Sequence, residues 1–314
     1  MVFPSRRSSE NINRPKRLIM GPSLFKFCSL MVALFLFSLF EKNSTAKDIP
    51  KGSMPPYASL ENLIRGKYDR YSIFKWEEYT SLLDKLLDEK FIVLPINEMR
   101  STYDNTKVIV GLRHDVDFNP FKALEMAKIE KLYGFHATYY MLSTAEYFGK
   151  ISGKVLKRSP GIEYLIKEIY DMGPEIGIHN DLLTIQVMNE IDPLEFNKEE
   201  LRFYELLGIP IYGTASHGSP FSRASVPNFN VFSDFARTDS AVYQGKKFAI
   251  GLHSLEKYGF KYEAYFINYS KYFSESGGSW NDPEGLNGIL KKLESSKPGD
   301  RIQILVHPDW WGKI

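Results

Sequence analysis

The stretch that most constrains this chain is residues 108–117, Val-Ile-Val-Gly-Leu-Arg-His-Asp-Val-Asp. A run of β-branched and aliphatic residues without polar alternation marks a strand buried on both faces. It ends in Arg113, His114, Asp115 and Asp117. Charges there are costly unless they are paired or bind a metal. The C-terminal end of a parallel strand is where α/β folds place their chemistry. Two residues apart on a strand, Asp115 and Asp117 point to the same side.

The downstream sequence repeats the theme. Asn119-Pro120 caps and opens a helix that runs to Tyr133 and stops at Gly134. Strand-like segments follow at 135–142, at 175–179 ending in His179, and at 209–216 ending beside His217. Helices fit 162–172 and 193–207 between them, and 283–295 before a last strand, 301–306, that ends at His307. Upstream, Phe74, Trp76, Tyr79, Leu82, Leu83, Leu86 and Leu87 recur at helical spacing. Residues 221–280 show no clear period and read as short strands and loops. Alternating strands and helices predict an α/β fold, a parallel barrel or a doubly wound sheet.

The N-terminal part reads differently. Residues 1–22 form a basic tail, 23–40 an apolar segment, and 41–60 a linker with Pro50, Pro55 and Pro56; the main domain occupies 61–314. The apolar segment is at the short end of a membrane span and also fits a signal-peptide core. No clean cleavage site follows it, which favours a signal anchor. The basic flank places the N-terminus in the cytoplasm and the main domain on the non-cytoplasmic side, or secreted if the segment is cleaved. With 40 basic and 38 acidic residues the charge is too balanced to argue for nucleic acid. Cys28 is the only cysteine, which excludes a cysteine nucleophile and a cysteine-rich zinc module in the main domain.

Four strand ends thus offer Asp115 and Asp117, His179, His217, and His307. One carboxylate and two imidazoles hold a divalent metal with positions open for water and substrate. A further carboxylate takes a proton from water, and a further imidazole protonates a leaving group. Trp280, Trp310 and Trp311 suit stacking on sugar rings or packing in a core. His114 alternates with Asp115 and is expected to face the helix layer, while Arg113 orients a carboxylate or balances charge.

These residues resemble the polysaccharide deacetylases of the NodB type. Arg113-His114-Asp115-Val116-Asp117 is similar to the first motif in a bacterial branch associated with surface-polysaccharide genes. Glu175-Ile-Gly-Ile-His179, Ser274-Glu275-Ser276-Gly277-Gly278-Ser279-Trp280 and Leu305-Val306-His307-Pro308-Asp309-Trp310-Trp311 extend the likeness over residues 70–312. The resemblance implies a deformed (β/α)7-type parallel barrel and metal-dependent removal of acetyl groups from an N- or O-acetylated sugar or surface polysaccharide. It implies Asp115 as base, Asp117 and His179 as metal ligands, and His307 as general acid, with the two aspartates interchangeable because Val116 separates them. Zinc is the first candidate ion; manganese, iron and cobalt suit the same ligand types. The family's usual second histidine, four residues after the first, is Leu183 here. His217 is expected to replace it, with Asp181 as the other candidate. If neither does, an inert carbohydrate-binding or assembly protein on the same fold is the alternative. A hydrolase of another acyl or amide bond shares the same site.

Overall fold

The computed structural model describes residues 55–313. The expected tail, the apolar segment 23–40 and most of the linker lie outside them. Among the described residues no helix is long and apolar enough to cross a membrane.

Helix α1 (Ala58–Tyr68) opens inside the stretch read as linker, burying Leu60 and Ile64. Helix α2 (Trp76–Leu86) buries Tyr79, Leu82, Leu83 and Leu86, the face its spacing predicts. Strand β1 (Phe91–Leu94) and helix α3 (Ile96–Ser101) precede the key strand β2 (Val108–Val116), which is buried throughout. Helix α4 (Pro120–Tyr133) begins where Asn119 accepts hydrogen bonds from the amides of Phe121 and Lys122. It stops at Gly134, whose φ of 71° is the left-handed conformation that glycine adopts freely.

Strand β3 (Thr138–Leu142) leads to a hairpin of β4 (Gly149–Ser152) and β5 (Val155–Arg158). Then come α5 (Ile162–Asp171), β6 (Glu175–Asn180), α6 (Leu182–Asn189), α7 (Pro193–Leu206), β7 (Gly213–Ser216) and the short α8 (Pro220–Ala224). The stretch without a clear period holds the hairpin of β8 (Ser240–Tyr243) and β9 (Lys246–Ala249), strand β10 (Tyr262–Glu263), and β11 (Lys271–Ser276) turning back into β12 (Ser279–Trp280). Helix α9 (Leu286–Glu294) and β13 (Arg301–Val306) complete the order.

The main sheet runs β10-β7-β6-β3-β2-β13-β11-β12, with β1 beside the first half of β2. Apart from the antiparallel β11–β12 return, its pairings are parallel. The sheet curls into a half-barrel. Strand β10 does not pair with β11, so the curl does not close into the complete ring that a barrel requires.

The two faces of β2 sort by parity, as a pleat demands. Val108, Val110, Leu112 and Val116 join the large core beneath the helices, while Ile109 joins a smaller cluster within the curl, with Ile96, Met99, Tyr140 and Tyr262. Gly111 is the inward residue over which α3 closes the floor. A β-carbon there would run into Met99 Sδ and lie 2.8 Å from Ile96 Cδ1. Replacing Gly111 by Ala is expected to cost about 1–3 kcal/mol through overpacking, read as a lower denaturation midpoint at unchanged denaturant slope. Trp311 and Trp280 are packing residues. Trp311 is fully buried, with ring centroids 4.8 Å from Phe74, 5.3 Å from Tyr79 and 6.4 Å from Trp280.

Candidate metal centre

Continuing the parity of β2 past Gly111 places Arg113, Asp115 and Asp117 on the inner side. His114 goes outward, as its position predicts, to Glu130 of α4 (Nε2 to Oε1 2.5 Å) and to the Val306 carbonyl at 3.3 Å. Parallel pairing then brings the strand ends together. His179 of β6 stands level with Leu142 of β3 and Ala215 of β7, and His217 follows one residue beyond β7.

Three ligand atoms converge. Asp117 Oδ1 lies 3.3 Å from His179 Nε2 and 3.4 Å from His217 Nδ1, and the two nitrogens are 3.2 Å apart. With bonds of about 2.0–2.1 Å to one ion, the edge of a tetrahedral face is about 3.3–3.4 Å. An octahedral edge at the same bond lengths is about 2.8–3.0 Å. The observed triangle therefore fits one face of a tetrahedral site.

The surroundings fit as well. His179 Nδ1 faces the Ala215 carbonyl at 2.8 Å, an arrangement that places the ring proton there and leaves Nε2 with its lone pair inward. Asp117 Oδ1 is buried and, among the described residues, makes no hydrogen bond. A buried carboxylate oxygen 3.3 and 3.4 Å from two imidazole nitrogens is a donor set for a cation, which binds as the nitrogens give up their protons. Burial works to raise Asp117, and the two imidazoles outweigh it, holding the carboxyl well below its usual range. Burial likewise opposes charge on His217, yet Asp117, then Asp181 and Asp115, raise it above the ordinary imidazole value. The field that would hold a proton there would equally hold a metal ion.

Asp115 sits beside the triangle, its Oδ2 3.6 Å from His179 Nε2. Arg113 grips it through two parallel bonds, Nε to Oδ1 at 2.8 Å and Nη2 to Oδ2 at 2.7 Å. Burial pushes Asp115 up, but Arg113 prevails and keeps it below the usual carboxylate range. Arg113 thus orients Asp115 and does not bridge the two aspartates. His307 caps β13, with Nδ1 2.5 Å from the Glu275 carbonyl. Burial would lower His307, but Glu275, Asp117 and Asp115 together push it up to about 10.

Asp181, the other candidate ligand, is engaged elsewhere. It accepts from Asn228 Nδ2 at 2.9 Å and from Thr144 Oγ1 at 3.1 Å, and it is not one of the three converging residues. Leu183 is buried in the core on α6. A cavity of about 650 Å³ opens beside Asp117 and His217. The stacked rings of Tyr68 and Phe118 (centroids 5.6 Å apart, 16° between planes) flank it on one side, with Phe221, Val242 and Tyr243 also in its wall. Among the described residues no lysine or arginine lines it.

Asp309, Glu263 and Asn228 support the site without belonging to the candidate residues of the sequence. Asp309 accepts from the backbone amides of Asp117, Phe118 and Asn119; Glu263 accepts from that of Ser216. Asn228 receives the amides of Leu183 and Thr184 and donates to the His217 carbonyl. Of these, only Asp309 lay in a segment the sequence had marked.

No family model and no curated protein matches this chain. Among solved structures, it is similar to a family 4 carbohydrate esterase from Bacillus anthracis. That likeness covers 70% of this chain and 74% of the other, at 12% identity and a TM-score of 0.32. A score that low leaves fold and function to be argued from topology and site.

Proposed function

We propose that this protein is a metal-dependent hydrolase that removes acetyl groups from sugars, on a half-barrel of the NodB type. The observation that carries this reading is the convergence of Asp117 Oδ1, His179 Nε2 and His217 Nδ1, 3.2–3.4 Å from one another at neighbouring strand ends. Zinc is the first candidate for it, on ligand type and tetrahedral spacing.

A divalent ion held by these residues supplies Lewis acidity, polarising an acyl oxygen and acidifying water. The chain supplies the rest. Asp115, ionised and fixed in orientation by Arg113, accepts the proton of the attacking water. His307, which carries a proton at neutral pH, delivers it to the departing amine or alcohol. His217 fills the place that Leu183 cannot. The cavity, with aromatic walls, Glu146 and Asp181 in its lining and no lysine or arginine among the described residues, suits an uncharged sugar better than a uronate or a phosphorylated one.

The test is acetate release by purified protein, loaded with zinc or manganese, from acetylated oligosaccharides. Neutral substrates are expected to turn over, a chelator to stop turnover, and added metal to restore it. Activity that survives complete metal removal overturns the reading. Equal rates on neutral and uronate-bearing substrates overturn the charge preference alone.

A further inference from the structure

Three buried carboxylates surround the centre, and each grips backbone amides at or beside a site residue. Asp309 holds three consecutive amides of the loop after β2, those of Asp117 (3.1 Å), Phe118 (2.9 Å) and Asn119 (2.5 Å). Glu263 holds the amide of Ser216 (2.9 Å), the residue before His217, and that of Tyr265 (2.7 Å). Glu275 holds the amide of His307 (3.0 Å) and that of Gly278 (2.9 Å). Their exposures are 4%, 1% and 0%. Among the described residues none of the three pairs with a lysine or arginine. Carboxylates buried at this depth ordinarily find cationic partners. Glu275 Oε2 also lies 3.7 Å from His307 Nδ1, but the hydrogen bonds of all three go to the main chain, at three separate strand ends.

We infer that Asp309 and Glu263 are positioning residues that set cation affinity by fixing the backbone of Asp117 and His217, whereas Glu275 positions His307 and leaves cation affinity alone. This rests on the proposed metal-dependent reading and deepens it. None of the three side chains belongs to the converging donor set. The division of labour follows from which amide each one holds. A carboxylate presents acceptors to every amide it meets. The isosteric carboxamide turns an NH2 toward one of them, donor against donor, and that amide shifts or goes unpaired. For Asp309→Asn the loop carrying Asp117 loosens, for Glu263→Gln the turn into His217, and for Glu275→Gln the entry to His307.

The experiment is a zinc titration of the purified protein against a chromophoric chelator, with circular dichroism and acetate release measured on the same samples. Asp309→Asn and Glu263→Gln are expected to weaken zinc binding by about 10–100-fold, the range that residues supporting metal ligands contribute. Glu275→Gln is expected to keep zinc affinity within about twofold of wild type while acetate release falls. Equal weakening in all three variants would mark a general structural role and overturn the inference. So would unchanged zinc affinity in Asp309→Asn and Glu263→Gln. Should Asp309→Asn fail to fold, Glu263→Gln against Glu275→Gln carries the same comparison. Wild-type protein that binds zinc but releases no acetate sinks the deacetylase reading and leaves this inference to stand or fall on the titration. Wild-type protein that binds neither zinc nor manganese overturns both.

Discussion

His217→Ala is expected to lose the bound cation, with zinc affinity falling by about 100-fold or more. The binding energy of a structural zinc site, roughly 10–16 kcal/mol shared over four ligands, gives about 3 kcal/mol per ligand. At about 1.4 kcal/mol per tenfold, that is a factor of about 100. The effect should be confined to the site. The His217 side chain is partly exposed at the cavity, and its polar contacts are with the two other members of the triangle, Asp117 and His179. Elemental analysis of wild type and variant, purified in parallel, is the check. About one equivalent in wild type and little in the variant supports the triangle. Full occupancy in the variant would remove His217 from the ligand set and return Asp181 to consideration.

Much of the fold could be read because its signals are local. Asn119-Pro120 and Gly134 mark α4 at both ends, since a cap and a left-handed stop are properties of one or two residues. The buried strands β2, β6 and β13 announce themselves as apolar runs ending in charge. Helix α6 could not be read this way: Leu182, Leu183, Ile185 and Val187 are all buried, and an apolar run of that kind has no one-sided period. Helix α1 was hidden by the prolines before it. The open curl is a different kind of miss. Whether β10 pairs with β11 depends on the course of residues 264–270 between them, and no local pattern encodes that.

The site divides along the same line. Each of Asp115, Asp117, His179 and His307 closes or follows an apolar strand, so its chemistry and its place come from one stretch of sequence. His217 needed the β6–β7 pairing, His179 level with Ala215, before its ring could reach His179. Asp309, Glu263 and Glu275 bind backbone amides, and the main chain is the same at every position. Nothing in the sequence says which amides a glutamate will find. Asp309, two beyond His307, and Glu275, inside the 274–280 segment, lie in marked stretches, but nothing there points to the amides they hold.

Asp115→Asn is expected to abolish turnover, keep the metal and destabilise the protein, and the combination separates a base from a ligand. Turnover should fall by about 10²–10⁴-fold if Asp115 is the general base. The metal should stay, because Asp117, His179 and His217 form the converging set and Asp115 is not in it. Stability should suffer because the Arg113 guanidinium is fully buried and its paired contacts are to Asp115. Its other hydrogen bond is to the neutral Gln303 Oε1 at 3.1 Å, it lies 4.3 Å from the Tyr265 ring, and the more distant Glu263 offsets its charge only in part. An uncompensated buried charge of this kind costs about 3–5 kcal/mol. The double replacement Arg113→Met, Asp115→Leu removes both charges, so it should recover most of that loss in a denaturation experiment while remaining inactive. Stability lost and regained without return of activity would assign Arg113 to orientation and Asp115 to proton transfer. Turnover of the single variant within tenfold of wild type would take the base role away from Asp115. Loss of metal in that variant would move Asp115 into the ligand set.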